Sequence, residues 1–433
     1  MRFVSTRGKA PPVILSEALR NGAAPDGGLY MPEALPAIDA PELDPRAPLP
    51  DFAAALLQPF FRGNALESEL NAICAEALDI PAPLVSPDPA RPSLRGLELF
   101  HGPTGAFKDL GARFLMACFD RIADSQPLTV LVATSGDTGG AVGCAAEGRS
   151  SVRAVILFPK GRVSPFQERQ LTCWGDQVSA IEVDGDFDDC QRLVKSAFAD
   201  PSLAAEHRLT SANSINFGRL MPQLAYAAHA AVQLFADTGE KPGFVIPSGN
   251  LGHAFAVLLA KAMGLPVGPV VLATNANRTL KDWAASGRYE PRPSVATLAN
   301  AMDVGAPSNF ERLTALPEDQ RKLQVELVDD EAIKARIRTD YEASGYVWCP
   351  HSATAAEAFA RLPDSQRTER PWILMATAHP YKFRETVEPL IGRAIEPPPA
   401  LAAILNRPTH KSTIGASLDA LAGALKSSAL AAH

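Results

Sequence analysis

An apolar run, a polar turn and the start of a small-residue helix follow one another in Val130-Leu131-Val132-Ala133-Thr134-Ser135-Gly136-Asp137-Thr138-Gly139-Gly140. A continuous apolar run of this length is typical of a strand that is buried on both faces, as in a parallel sheet. Similar runs recur at 152–158, 178–183, 244–246, 270–273 and 372–376, with helix-length segments such as 188–198, 221–235 and 251–263 between them. Strands that alternate with helices predict βαβ units, so the expected fold class is α/β, with parallel sheets covered by helices.

Length and composition narrow the range of functions. With 433 residues the chain is expected to form two domains or more. Its net charge of -7 and the absence of a basic run interleaved with aromatic residues argue against a nucleic-acid partner. The six cysteines are widely spaced without a C-x-x-C pair, which favours reduced thiols over disulfides or a metal site. No segment has the pattern of a signal peptide or the ~20 apolar residues of a membrane span, so we expect a cytoplasmic protein without a membrane partner.

A lysine with unusual surroundings occurs in His101-Gly102-Pro103-Thr104-Gly105-Ala106-Phe107-Lys108-Asp109. An apolar run at 97–100 precedes this turn, and a helical pattern begins at Leu110, so Lys108 is placed at a helix N-terminus. The helix dipole and partial burial both disfavour an ammonium there. A lysine of lowered pKa can form a Schiff base with a carbonyl group. Taken alone, a lysine beside Asp109 is more often a solvated surface residue.

Three polar turns follow predicted strands, where ligands bind in parallel sheets. Pro247-Ser248-Gly249-Asn250-Leu251-Gly252-His253 opens an apolar helix and resembles a phosphate cradle, although it matches neither nucleotide-binding glycine motif. The turn at 134–139 offers hydroxyl and N–H groups to an anion, and Thr377 places a hydroxyl after the strand 372–376. Each turn could be no more than a capped helix or a structural residue. Together with Lys108 they predict pyridoxal 5′-phosphate as cofactor, bound to Lys108 as a Schiff base.

The motifs also allow a family resemblance to be stated. The sequence resembles the threonine synthase family, the pyridoxal-phosphate enzymes of fold type II, over residues 2 to about 395, and within it the fungal and bacterial branch. The motifs that carry the resemblance are Ser5-Thr6-Arg7-Gly8 and the segments 24–30, 101–104, 106–109, 134–139, 158–164, 185–191, 213–216, 222–223, 307–312 and 376–383. So many motifs in the same order are not explained by chance.

The resemblance implies an architecture and a reaction. It implies two parallel-sheet α/β lobes with the cofactor cleft between them and a helical N-terminal segment. The expected divisions are 1–95 for that segment, 96–225 for the lobe with the cofactor lysine, 226–400 for the lobe with the phosphate loop, and 401–433 for a helical tail. The implied reaction converts O-phospho-L-homoserine and water to L-threonine and phosphate. Closure of the lobes is expected to exclude water until phosphate leaves.

The resemblance also assigns site residues. Lys108 would carry the cofactor and move protons at Cα, Cβ and Cγ of the substrate. The other cofactor-binding residues would be Gly249, Asn250, Leu251, Gly252, His253 and Thr377, the last at the pyridine nitrogen. The substrate-binding residues would be Ser135, Asp137, Thr138, Lys160, Arg162, Ser164, Asn213 and Asn216.

This sequence departs from the family pattern at three places. His253 stands where asparagine is common, Leu251 replaces a usual phenylalanine, and Cys349 begins an unusual form of the segment 349–355. His351 and His379 are general-base candidates by residue type, but structural histidines are an equal alternative.

Two other functions remain open at this stage. One is a threonine-synthase-like phospho-lyase that releases phosphate, ammonia and a 2-keto acid. The other is a non-catalytic protein that binds a phosphorylated ligand, against which the intact Phe107-Lys108-Asp109 argues. The expected partner is a small-molecule substrate, and the assembly is a monomer or a homodimer.

Overall fold

The computed structural model describes residues 1–123, 126–175 and 177–430. The strands are β1 (Arg2–Ser5), β2 (Val13–Ile14), β3 (Tyr30–Pro32), β4 (Leu84–Val85), β5 (Leu94–Glu98), β6 (Leu128–Ala133), β7 (Val152–Pro159), β8 (Val178–Asp184), β9 (Leu209–Thr210), β10 (Gly243–Pro247), β11 (Val270–Thr274), β12 (Gln324–Leu327), β13 (Trp372–Ala376) and β14 (Ser412–Gly415).

The α-helices cover both faces of the larger sheets. They are α1 (Leu15–Asn21), α2 (Leu49–Phe61), α3 (Leu70–Leu78), α4 (Lys108–Ile122), α5 (Asp137–Ala146), α6 (Pro165–Thr172), α7 (Phe187–Ala199), α8 (Pro201–Glu206), α9 (Met221–Thr238), α10 (Gly252–Ala262), α11 (Thr279–Ser286), α12 (Phe310–Ala315), α13 (Asp330–Ser344), α14 (Pro350–Ala360), α15 (Asp364–Glu369), α16 (Arg384–Ile391), α17 (Pro399–Leu405) and α18 (Leu418–Leu430). Short 3₁₀ turns lie at Ala40–Glu42, Phe217–Arg219, Asn300–Met302 and Pro380–Phe383.

Two mainly parallel sheets form the body of the molecule. One has the strand order β12-β11-β10-β13-β5-β4, in which β4 alone is antiparallel to its neighbour. The other has the order β14-β8-β7-β6-β9 and is parallel throughout. Every residue of β6, β10, β11 and β13 is buried, as expected for apolar strands covered on both faces. The predicted α/β class is confirmed.

The strand before Lys108 lies in the sheet that also carries the glycine turn and Thr377. β5 pairs in parallel with β13, with Ala376 opposite Glu98. Past both strands the two segments meet again in an antiparallel bridge between Ala106 and Ala378. In this bridge Phe107 N–H donates to the Thr377 carbonyl at 2.9 Å and His379 N–H donates to the Gly105 carbonyl at 2.9 Å. The chain therefore crosses between the lobes that were expected to divide near residue 225. This crossing places Lys108 beside Thr377.

Both ends of the chain contain strands beside the helices expected there. The N-terminal segment contains α1 to α3 but also the antiparallel sheet β2-β1-β3. Within the tail, β14 pairs in parallel with β8, and Leu421 and Leu425 of α18 share a buried cluster with Leu193 of α7. The tail thus completes the five-stranded sheet. With one large apolar residue, Ile414, β14 is too weakly patterned to be found from sequence. No helix in the described ranges is long and apolar enough to cross a membrane.

Candidate active site

The carboxyl ends of the two sheets meet at one cavity of about 400 Å³. The turn after β6, the turn after β10, the residue after β13 and the first residue of α4 all contribute to its wall. Parallel strands place their carboxyl ends at a common edge, which is where ligands bind in open α/β sheets. The predicted site residues that line the cavity are Lys108, Ser135, Asp137, Thr138, Asn213, Gly249, Asn250, Leu251, Gly252, His253 and Thr377.

Lys108 begins α4 and projects toward the acidic start of α5. Its Nζ lies 4.0 Å from Oδ2 of Asp137 and 4.7 Å from the centroid of the Phe107 ring. Burial lowers the pKa of the Lys108 amine, the charges of Arg219 and Lys382 act in the same direction, and Asp137 opposes them. An amine with a lowered pKa is uncharged more of the time, which is the form that attacks a carbonyl carbon.

Asp137 lies between two lysines. Lys382 Nζ is 3.2 Å from Oδ1 of this carboxylate, on the side opposite Lys108. Burial disfavours the ionised carboxyl, but the charges of Lys382 and Lys108 outweigh burial and hold the pKa of Asp137 well below its usual range. Asp137 is therefore an anion that contacts both lysines, and its Oδ1 also accepts from Gln167 Nε2 at 3.3 Å.

The turn after β6 is shaped by the threonine that begins it. Thr134 Oγ1 accepts hydrogen bonds from the N–H groups of Gly136 and Gly139, each at 3.0 Å. Gly136 has φ of +143°, and a Cβ there would lie 2.4 Å from the Gln167 side chain. Only glycine fits this position. The turn leaves Ser135 and Thr138 on the cavity wall.

The glycine turn after β10 is braced by its own asparagine. Asn250 Nδ2 donates to Ser214 Oγ at 2.8 Å, and its Oδ1 accepts from Ser308 N–H at 2.5 Å. Leu251 adopts φ of +63°, a left-handed conformation that is strained for leucine and frequent at functional sites. The first N–H groups of α10 have no partner within a helix and point out of its N-terminus. The turn therefore offers backbone amides to an anion, while the Asn250 side chain holds the turn in shape.

The cavity wall carries buried polar atoms without a hydrogen-bond partner among the described residues. They are Asn213 Oδ1, Arg219 Nε, Gln223 Oε1, Ser248 Oγ, His253 Nδ1 and Nε2, and His351 Nδ1. Buried polar groups are almost always paired in folded proteins, so a cluster of this kind marks a place where a polar ligand or water binds. An amine of lowered pKa, backbone amides for an anion and unpaired buried polar atoms together fit a carbonyl cofactor with a phosphate group.

Comparison with known proteins agrees with this chemistry. A family model for pyridoxal-phosphate dependent enzymes matches residues 94–377, a model for the threonine synthase N terminus matches 2–78, and one for the threonine synthase C-terminal region matches 352–424. Threonine synthases of Serratia marcescens and Escherichia coli are 38% and 37% identical over 97% of this chain and 98% of theirs. The chain belongs to the threonine synthase family.

Solved structures of threonine synthases have the same architecture. The enzyme of Escherichia coli superposes with a TM-score of 0.91 at 36% identity, covering 99% of this chain and 100% of the other. The threonine synthase of Brucella melitensis, described as bound to pyridoxal phosphate, gives 0.90 at 34% identity, covering 99% of both chains. The fold type II architecture and the cofactor expected from sequence, pyridoxal 5′-phosphate, are thereby confirmed.

Four of the residues expected to bind the threonine synthase substrate lie outside the cavity in the described structure. Lys160 and Arg162 are exposed beyond β7, and Ser164 caps α6 by accepting from Gln167 N–H. Asn216 is fully buried, and its Nδ2 donates to the carbonyls of Leu19 and Ser211. Asn216 therefore holds the loop before α9 against the N-terminal segment. A substrate role would require the loop that carries Lys160, Arg162 and Ser164 to move toward the cavity.

The three histidines noted from sequence differ in position. His253 lies in the wall, stacked on Phe107 with ring centroids 4.6 Å apart, and burial lowers the pKa of His253 to about 3. His351 accepts from Ala301 N–H at 3.1 Å, and burial lowers its pKa to about 4. His379 lies outside the cavity and accepts from Tyr381 N–H. His253 and His351 are therefore neutral at physiological pH, and both reach the cavity.

Sequence reasoning missed the second wall of the cavity. The wall includes Gln191 and Lys195 of α7 and residues 292–294 and 301–306 of a long loop. Hydrogen bonds to one carboxylate hold that loop. The Asp303 carboxylate accepts from the side chains of Asn275, Asn277 and Thr297. No local pattern marks these residues as functional, since they reach the cavity only when distant loops fold together. Lys382 lies within the segment 376–383, and its sequence context alone does not indicate a role.

Replacement of Gly249 by alanine is expected to weaken cofactor binding. A Cβ at this position would lie 2.7 Å from the Met302 Cα and 2.9 Å from its carbonyl oxygen, which are backbone atoms that cannot move aside. We expect about tenfold weaker binding of pyridoxal phosphate and about 1–3 kcal/mol lower stability, from overpacking. Absorbance titration with the cofactor and thermal unfolding measure the two effects.

Gly423→Ala serves as the matched control, because nothing lies within 4 Å of a Cβ there. This variant should bind the cofactor as the parent protein does. Equal cofactor affinity in Gly249→Ala and the parent would contradict a cradle at Gly249.

Proposed function

We propose that this protein converts O-phospho-L-homoserine and water to L-threonine and phosphate. The observation that carries the proposal is the Lys108 amine, of lowered pKa and on a side chain only 17% exposed, at the junction of the two sheets in a cavity lined by unpaired polar atoms. Relatives with 34–38% identity over at least 90% of this chain are named threonine synthases, which supports the same assignment.

The residues of the cavity fit the cofactor in three places. Lys108 would bind its aldehyde, the backbone amides of Gly249 to Gly252 together with Ser248 would hold its phosphate, and the Thr377 hydroxyl would meet its ring nitrogen. When bound, pyridoxal phosphate supplies an electron sink for bonds to the substrate α-carbon. Because a hydroxyl does not hold the ring nitrogen protonated as a carboxylate would, Thr377 favours elimination over transamination.

Lys108 would move the protons of the reaction. Its amine, whose pKa burial lowers, accepts the proton from Cα of the substrate and then exchanges protons at Cβ and Cγ as phosphate leaves from Cγ and the hydroxyl of water adds at Cβ. The neutral imidazoles of His253 and His351 face the same cavity and can exchange hydrogen bonds with water there.

Other residues would bind and enclose the substrate. Ser135, Asp137 and Thr138 would meet its amino-acid end, next to Lys108, and Asn213 offers an amide group to the substrate phosphate. The substrate phosphate would be bound by Lys160, Arg162 and Ser164. These residues could reach it only if the two sheets close over the cavity. Small-angle scattering with and without a substrate analogue tests this closure. An unchanged angle between the lobes would contradict it.

An assay with O-phospho-L-homoserine tests the proposed function. We expect threonine and phosphate in equal amounts and no accumulation of 2-oxobutyrate. Release of 2-oxobutyrate and ammonia with phosphate would instead establish the phospho-lyase alternative. Absence of turnover in protein loaded with the cofactor would favour a binding protein.

We also propose that the protein acts in the cytoplasm as a monomer or homodimer without a nucleic-acid partner. Its net charge of -7 and its six free thiols support this setting. Sedimentation at two protein concentrations distinguishes monomer from homodimer, and larger assemblies would contradict the proposal.

A further inference from the structure

Lys382 is a fully buried lysine next to the catalytic amine. It lies in the 3₁₀ turn Pro380–Phe383, and its side chain is 0% exposed. Its Nζ donates to the Thr104 carbonyl at 2.8 Å and to Gln170 Oε1 at 2.5 Å, and it lies 3.2 Å from Asp137 Oδ1. Burial of an ammonium costs several kcal/mol unless it is paired and hydrogen-bonded. Three acceptors therefore surround this one amine and pair its charge.

Asp137 is consequently shared by two lysines at unequal distances. Lys382 lies 3.2 Å from one carboxylate oxygen, whereas Lys108 lies 4.0 Å from the other. A buried carboxylate facing Lys108 alone would favour the ammonium form of that amine, because an opposite charge within about 4–6 Å stabilises the charged form. An ammonium cannot attack an aldehyde carbon. Lys382 supplies the balancing charge instead.

We propose that Lys382 is a positioning residue that neutralises Asp137, so that this carboxylate orients the Lys108 amine without fixing it as an ammonium. Asp137 then holds the amine toward the cavity through one oxygen, while its charge is balanced through the other. The inference rests on the role of Lys108 in the proposed function, but it concerns the amine alone and does not depend on the identity of the substrate.

The other titratable groups that act on the Lys108 amine are consistent with charge balance between Asp137 and Lys382. The titratable side chains of the described residues that act on it, besides Asp137 and Lys382, are Arg219, Cys349, His253 and His351. Burial raises the pKa of Cys349 and lowers those of both histidines, so these three are neutral near pH 7. Arg219 is a cation that donates to the Ala212 carbonyl and does not pair with Asp137. Asp137 therefore favours the charged form of Lys108, whereas Arg219 and Lys382 both oppose it. Of these two cations, Lys382 is the one that contacts Asp137 among the described residues.

Competitive labelling of Lys108 tests the proposal without substrate. The full-length chain, freed of cofactor, is treated with a trace of acetic anhydride at a series of pH values, and the Lys108 peptide is quantified by mass spectrometry. In Lys382→Met we expect the labelling midpoint of Lys108 to rise by about one pH unit or more, because Asp137 now pairs with Lys108 alone. The rate at which added pyridoxal phosphate is bound at pH 7 should fall about tenfold in parallel.

The double variant Lys382→Met/Asp137→Asn separates charge balance from packing. Removal of both charges should return the midpoint to the parent value or below, although packing around residue 382 remains altered. Lys382→Gln keeps a donor for the Thr104 carbonyl and should show the same upward shift as Lys382→Met. An unchanged midpoint in both single variants, or a raised midpoint that persists in the double variant, would overturn the proposal.

Lys411→Met is the matched control. Lys411 also pairs with a buried carboxylate, Glu182, at 2.7 Å, but it lies outside the cavity. Its loss should lower stability and leave the Lys108 midpoint unchanged. Failure of the proposed function would appear in the product assay with O-phospho-L-homoserine, whereas failure of this inference would appear in the labelling midpoint.

Discussion

Replacement of Lys108 by alanine will abolish covalent cofactor attachment and lower kcat by about 10⁴-fold or more. The variant loses both the amine that binds the cofactor aldehyde and the group proposed to move protons at Cα, Cβ and Cγ, and general acid–base catalysis alone contributes about 10²–10⁴-fold. The cavity should persist, because α4 remains anchored by the bond from Phe107 N–H to the Thr377 carbonyl.

Borohydride reduction followed by peptide mapping measures this effect. In the parent protein the reduced cofactor should be found on the Lys108 peptide, and in Lys108→Ala no peptide should carry it. Lys334→Ala, at an exposed ion pair with Glu331, is the control and should keep the adduct and the activity. A reduced cofactor on Lys382, the other buried lysine that contacts Asp137, would show that the wrong amine has been assigned.

Replacement of Arg312 by methionine will lower the free energy of unfolding by about 3–5 kcal/mol. Arg312 is 0% exposed and joins three parts of the chain. Its guanidinium donates twice to the Tyr30 carbonyl, to the carbonyls of Ser214 and Ile215, and to Asn309 Oδ1. Methionine fills much of the volume but leaves these buried acceptors without their donor, and each unsatisfied group costs about 1–3 kcal/mol.

Removal of the Arg312 guanidinium should also disturb the glycine turn after β10. Ser214 and Asn309, which Arg312 holds in place, bond in turn to the Asn250 side chain and carbonyl. We therefore expect weaker cofactor binding in Arg312→Met together with a lower urea midpoint. Arg46→Met removes an arginine whose side chain is 77% exposed at an ion pair with Asp237, and should change stability by less than about 1 kcal/mol. Equal midpoints for the two variants would contradict the structural role of Arg312.

The parallel sheets were predictable because their strands are locally distinct. The runs at 152–158 and 372–376 are apolar at nearly every position, and the structure contains β7 and β13 at those places. β12, at the edge of its sheet, has one exposed and two half-buried residues, and its sequence Gln324-Val325-Glu326-Leu327 carries too little apolar signal to stand out. Edge strands escape sequence reasoning because they are not buried on both faces.

The sequence by itself determined the α/β class, the polar turns at the strand ends and the lysine at a helix start. These features depend on residues that are neighbours along the chain, whose periodicity and turn chemistry act locally. Only the tertiary structure decided that β5 joins β13, that Asn216 is a buried anchor, and that Lys382 lies against Asp137 two hundred and more residues away along the chain. Strand order and the balance of buried charges depend on contacts between distant segments, and those contacts exist only after the sheets have packed.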